Sequence, residues 1–282
     1  MPKARRGRTH LTFVLFALLL SCNTPESIGK FCASAVATLR AGDTFFDDMQ
    51  ASCIRTAETY EPFAAFQTSS PNSEPCVAIG KQAEGLKAAS KILANYFTAL
   101  KDLASFGNTK AGADAKDLFS KATAHANLAK PSAKALGSVA DFLTRVAVSG
   151  YQRKHLADEI SNVHEDLKAA LDGLGEAVGV VYVNQLQNEE NKTAARYREF
   201  LLRHPGGAET LILDARWQSD RAAFDRKQKA ALNYKTALET LARGNEDLAA
   251  HARNLKTKQL AALLSPYTAQ LENQLPAYGP SF

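Results

Sequence analysis

The densest set of ionisable side chains in this 282-residue sequence is HLADEISNVHED, residues 155 to 166. Imidazoles and carboxylates this close together are the raw material of a metal site or an acid–base pair. His155 and Glu159 are four apart, so on a helix they share a face, while His164 lies elsewhere around the turn. These three residues form a weak candidate metal or ligand cluster. The spacing does not strengthen it. A helical di-iron site needs a glutamate three residues before a histidine. The residues at that offset before His125, His155, His164, His204 and His251 are Ala122, Gln152, Ser161, Leu201 and Leu248. His164-Glu165 could open a zinc-protease motif, but Lys168 stands where its second histidine belongs. There is no Gly-x-Ser-x-Gly elbow, phosphate loop or dinucleotide fingerprint. A solvated helix face with ordinary ion pairs accounts for the cluster. No catalytic residue, metal or cofactor is assigned, and the chain reads as a non-enzyme.

The clearest signal lies at the N-terminus. Lys3, Arg5, Arg6 and Arg8 precede an apolar stretch, Leu11 to Leu20. Ten helical residues span roughly 15 Å, about half of a bilayer's hydrocarbon core. That is too short for a membrane-spanning helix and suits the apolar region of a signal peptide. Leu19-Leu20-Ser21-Cys22 follows and resembles the lipobox of bacterial lipoproteins. The resemblance implies cleavage between Ser21 and Cys22 and diacylglycerol on the Cys22 thiol. It also implies a further acyl chain, palmitate by type, on the new amine. Residues 1–21 are then a signal peptide, and the chain is expected to be lipid-anchored in the bacterial cell envelope, facing the periplasm or the exterior. Asn23 rather than aspartate after the cysteine favours the outer membrane in a Gram-negative cell.

Removing that segment changes the charge balance. The sequence has 34 Lys and Arg against 29 Asp and Glu, and four of the basic residues precede Cys22. The remainder is nearly neutral, so nothing in it points to nucleic acid.

Cys32, Cys53 and Cys76 remain, in a compartment that permits disulfides. Cys32 and Cys53 fall on one expected helix, roughly 31 Å apart if it is straight, which is far beyond the reach of a disulfide. Cys53–Cys76, flanking a proline-marked loop, is the favoured pair. Cys32–Cys76 and three buried thiols are the alternatives.

The elements that must position all of this read as helices. Apolar residues recur at intervals of three and four, seldom two. Helices are expected from Thr24 to near Pro62, up to Gly107, over 111–129, and from Pro131 to Gly150. A further stripe runs Leu156, Ile160, Val163, Leu167, Leu171, Leu174, Val178, Val181 and on towards Leu201. His204-Pro205-Gly206-Gly207 stops it. The last helix is expected over 209–264, with a near-heptad seam through Leu213, Trp217, Phe224, Tyr234, Leu241 and Leu248. Gly42 marks a bend or a close contact. Gly173, Gly175 and Gly179 indicate close helix approach or a locally unwound segment. The fold class is all-α: an elongated bundle of about five or six helices with a long, antiparallel, coiled-coil-like C-terminal hairpin. Residues 22–150 form its N-terminal part and 151–282 the hairpin and tail, as two units or one continuous domain.

Three functions are compatible with these readings. The leading one is a non-catalytic scaffold or interaction module, held to the membrane through Cys22 and binding another envelope protein. A helical ligand-binding or enzymatic domain would need a polar cavity near His155 and His164. A toxin-like, membrane-active hairpin would use the glycine-rich segment as its moving part.

Overall fold

The computed structural model describes residues 23–58, 74–105, 109–148, 156–203, 205–251 and 257–278. Ser21, Cys22, His155 and the expected signal peptide lie outside them. The chain is all-α, with no strand among the described residues. Nine α-helices are described: α1 (Asn23–Ala41), α2 (Asp43–Glu58), α3 (Glu74–Ala104), α4 (Ala115–His125), α5 (Lys130–Val148), α6 (Leu156–Glu176), α7 (Val183–Arg203), α8 (Ala208–His251) and α9 (Thr257–Gln274). A π-helical turn, Ala177–Tyr182, joins α6 to α7, and a short 3₁₀ turn, Leu275–Ala277, follows α9.

The count exceeds the expected five or six because long runs are divided. Gly42 separates α1 from α2 in a turn closed by its N–H to the Leu39 carbonyl at 3.1 Å. The reason is contact rather than flexibility. A Cβ on Gly42 would lie 2.2 Å from the hydroxyl oxygen of Tyr234, and Tyr234 is fully buried. Gly42→Ala should therefore cost about 2 kcal/mol by overpacking, read from urea midpoints. Gly29→Ala, inside α1 with nothing within 4 Å of its Cβ, should instead stabilise by up to about 1 kcal/mol through helix propensity. Equal effects at the two sites would count against the close contact.

Helix α8 is the axis of the molecule. Its inward face, including Phe224, Ala231, Tyr234, Leu238, Leu241 and Leu248, is buried. Two long runs lie antiparallel to it. On one side are α1 and α2: Gly244 abuts the Phe31 ring and Tyr234 abuts Gly42, while Lys227 bonds to Asp48. On the other are α6, the π turn and α7. There Ser161 donates to the Ala249 carbonyl at 3.4 Å, Gln228 to Glu190 at 3.1 Å and Tyr197 to Asp220 at 2.8 Å. The reversal between α7 and α8 uses Gly206 at φ +83°, a left-handed conformation that glycine adopts without steric cost. Helix α3 runs antiparallel to α1, with Phe31 edge-on to Phe97 at 5.9 Å and Ser90 donating to the Leu39 carbonyl at 2.9 Å.

The glycine-rich segment shows the expected close contacts, and it is helical throughout, passing through the π turn. A Cβ on Gly173 would lie 2.5 Å from Ser132, and one on Gly179 2.5 Å from Lys235, so α5 and α8 approach closely. The π turn also resets the helical phase. Ile160 to Val178 are buried as the stripe requires, but Val181 is exposed and Tyr182 turns inward in its place. No described helix is long and apolar enough to cross a membrane.

Candidate functional site

That inward turn of Tyr182 places its phenol at the centre of a polar cluster where α2, α7 and α8 meet. Tyr182 Oη donates to Asp48 Oδ2 at 2.5 Å. Arg55 Nη1 and Nη2 donate to Asp48 Oδ1 and Oδ2 at 3.0 and 3.1 Å. Arg55 also forks onto Glu189, from Nε to Oε1 at 2.5 Å and from Nη2 to Oε2 at 3.0 Å. Lys227 Nζ completes the set, 2.8 Å from Asp48 Oδ1. The Glu189 and Asp48 side chains are only 4 % and 10 % exposed, Lys227 15 % and Arg55 38 %.

The sequence places these groups by simple register. Asp48 and Arg55 are two helical turns apart on α2. Glu189 lies three residues after the buried Leu186 on α7, and Lys227 three after the buried Phe224 on α8. Each therefore continues a buried stripe just where it leaves the core.

Two carboxylates face two cations, so the cluster is neutral. Burial alone would raise the Asp48 carboxyl, but hydrogen bonds from Arg55, Lys227 and Tyr182 outweigh it and hold the pKa below the usual range. Desolvation opposes the Arg55 charge, and its bonds to Glu189 and Asp48 more than restore it. Burial, and then the Asp48 charge, push the Tyr182 phenol well up. Asp48 stays ionised, while Arg55 and Tyr182 keep their protons. A set fixed in this way holds helices in register rather than exchanging protons near neutrality.

Arg55, Glu189 and Lys227 of this cluster form the floor of a cleft of about 670 Å³ between α7 and α8. Arg196, Tyr197, Phe200, Leu213, Arg216 and Phe224 are among its walls. The Tyr197 and Trp217 rings stand 5.6 Å apart beside it. A second groove, of about 730 Å³, lies between α3 and α4. Two of its lysines are already matched, Lys87 by Asp47 at 2.5 Å and Lys91 by Asp114 at 2.6 Å.

Of the candidate cluster at residues 155–166, His155 lies outside the described residues. Glu159 pairs with Arg145 at 3.5 Å, and His164 Nε2 lies 3.3 Å from Glu165 on its own helix. Their neighbours Ile160, Val163 and Leu167 are packed into the core. No group of three potential metal ligands occurs among the described residues. Cys53 and Cys76 are joined in a disulfide, with Cα atoms 5.5 Å apart, and Cys32 is a buried thiol.

No protein-family model, curated protein or solved structure matches the chain. Its function must be argued from its own residues. The sequence missed Asp48, Arg55, Tyr182 and Glu189 as a group. Lys227 stands in the charged run DRKQK, which has the composition of solvated surface, yet it is only 15 % exposed and pairs with Asp48. The available signal was register, since a charge three residues beyond a seam position still faces the partner helix.

Proposed function

We propose that the chain is a bacterial lipoprotein, anchored through Cys22 after cleavage at Ser21, whose helical body is a non-catalytic scaffold for another envelope protein. In this reading α7 and α8 form a coiled-coil-like hairpin that projects from the bundle. One observation carries the proposal: an apolar tip and the start of α1, which follows Cys22 in sequence, lie at opposite ends of α8. Leu202, Leu211 and Ile212, on either side of the hairpin turn, are 77 %, 76 % and 70 % exposed. Asn23, the residue after the anchor, opens α1, whose Phe31 lies beside Gly244 near the other end of α8. The 44 residues of α8 rise roughly 65 Å at about 1.5 Å each. If the bundle stands end-on from its anchor, the tip is held well clear of the bilayer. Three nearly bare aliphatic side chains on either side of one turn support an interaction surface there, and in this reading they meet a partner across the envelope.

Mass spectrometry of the mature protein should find diacylglycerol on Cys22, and Cys22→Ala should move the protein from the membrane pellet to the soluble fraction. An intact Cys22 thiol or an unchanged distribution would overturn the anchor. A photo-crosslinker at position 211 should give a discrete protein adduct in cells, whereas one on the opposite end of α8 should not. No adduct at 211 would remove the tip's role.

A further inference from the structure

We propose that the cleft between α7 and α8 binds a single-chain amphiphile with an anionic head. The idea goes beyond scaffolding and does not depend on the anchor. It starts from the charges around the cleft. Arg55 and Lys227 are matched by Asp48 and Glu189 in the floor. Arg216 pairs with Asp220 at 3.2 Å, and the Tyr197 hydroxyl is also committed to Asp220. Arg196 has no carboxylate partner among the described residues, although it lines the cleft. One cation is therefore left over at a site whose other charges cancel.

Apart from Thr193, the uncharged wall is aromatic and aliphatic. Phe200 and Leu213 face the cleft from opposite helices above the buried Phe224. These side chains want a hydrocarbon, and Arg196 wants a single negative charge beside it. Arg is suited to either a carboxylate or a phosphate, because its planar fork bonds both in bidentate fashion. A volume of about 670 Å³ lies within the roughly 300–1,000 Å³ range of small-molecule sites. A free inorganic anion would leave the apolar walls unused, and a polyanion would meet only one surplus charge.

The geometry supplies its own reporter. Trp217 is the only tryptophan in the chain and contacts Tyr197 at the cleft wall. Titrating the purified protein with decanoate or decyl phosphate should give a saturable change in Trp217 emission, matched by a calorimetric binding isotherm. Decanol, with the chain but no charge, and acetate, with the charge but no chain, should each bind at least tenfold more weakly. Arg196 is exposed, so Arg196→Gln should keep the parent's circular dichroism and melting temperature while losing at least tenfold in affinity. Tighter binding of decanoate would support a fatty-acid-type ligand, and tighter binding of decyl phosphate a lysophospholipid-type one. The site is overturned if neither probe binds saturably by emission or calorimetry. It is equally overturned if Arg196→Gln binds as well as the parent, or if decanol matches decanoate.

Discussion

An Arg55→Ala variant should unfold about 3 kcal/mol more easily than the parent at neutral pH, with a shifted denaturant midpoint and an unchanged slope. The cause is what remains behind. Glu189, 4 % exposed, would lose its only cationic partner among the described residues, and Asp48 would keep only Lys227 and Tyr182. Breaking a buried pair from one side costs about 3–5 kcal/mol, because an uncompensated charge stays in low dielectric. Arg55 is itself 38 % exposed, which places the effect at the lower end. Arg55→Lys should recover little, since one ammonium does not reproduce two forks. The double variant Arg55→Met with Glu189→Leu should recover most of the loss, because well-packed apolar residues often replace a buried ion pair at no cost. If the double variant is as unstable as the single one, the uncompensated carboxylate is not the cause.

The pH dependence has a definite sign. The folded Asp48 carboxyl titrates below its ordinary value. Its contribution is therefore fully present above the unfolded value of about 3.9 and is lost as pH falls through the lower folded value. The stability gap between the parent and Asp48→Asn should be flat from pH 6 to 8 and close below about pH 4. A gap that stays constant into acid would mean that the hydrogen bonds to Asp48 do not depend on its charge.

The same cluster shows how far a sequence can be read and where reading stops. Periodicity identified helices because burial obeys it. Ile160, Val163, Leu167, Leu171 and Leu174 all face the core, and Pro205 to Gly207 mark the reversal. Periodicity failed at Val181 because an extra residue in the π turn rotates everything after it, and no residue type announces that insertion. At Gly42 the sequence marked a bend or close contact but not its partner, Tyr234, almost two hundred residues later. The candidate site was hidden for a related reason. Glutamate and lysine near a seam have the same composition as a solvated helix face. Only the arrival of α2, carrying Arg55, turns Glu189 from a surface carboxylate into a buried one. The histidine-rich stretch was read correctly as a face of ordinary ion pairs. His164 and Glu159 are near in sequence, but each side chain meets a different local partner.

Cys53 and Cys76 set the second large effect, because their bond ties the end of α2, where Arg55 stands, to the start of α3. Replacing both by serine should destabilise the protein by about 3 kcal/mol, the loop-entropy value for a closure of this size; the two are 23 residues apart in sequence. For a chain of this length that corresponds to a fall in melting temperature of roughly 5 °C. Reductant should lower the parent to the same temperature and leave the double variant unchanged. Cys32 gives an internal control. It is fully buried, and burial pushes its thiol pKa up, so it should resist alkylation in the folded protein whether or not the disulfide is reduced. The disulfide and the ion-pair cluster share α2, and their effects should not add. Loosening residue 53 weakens the hold on Arg55, so Arg55→Ala should cost less in the Cys53→Ser, Cys76→Ser background than in the parent. A strictly additive pair of losses, measured by a double-mutant cycle, would mean that the disulfide and the cluster brace α2 independently.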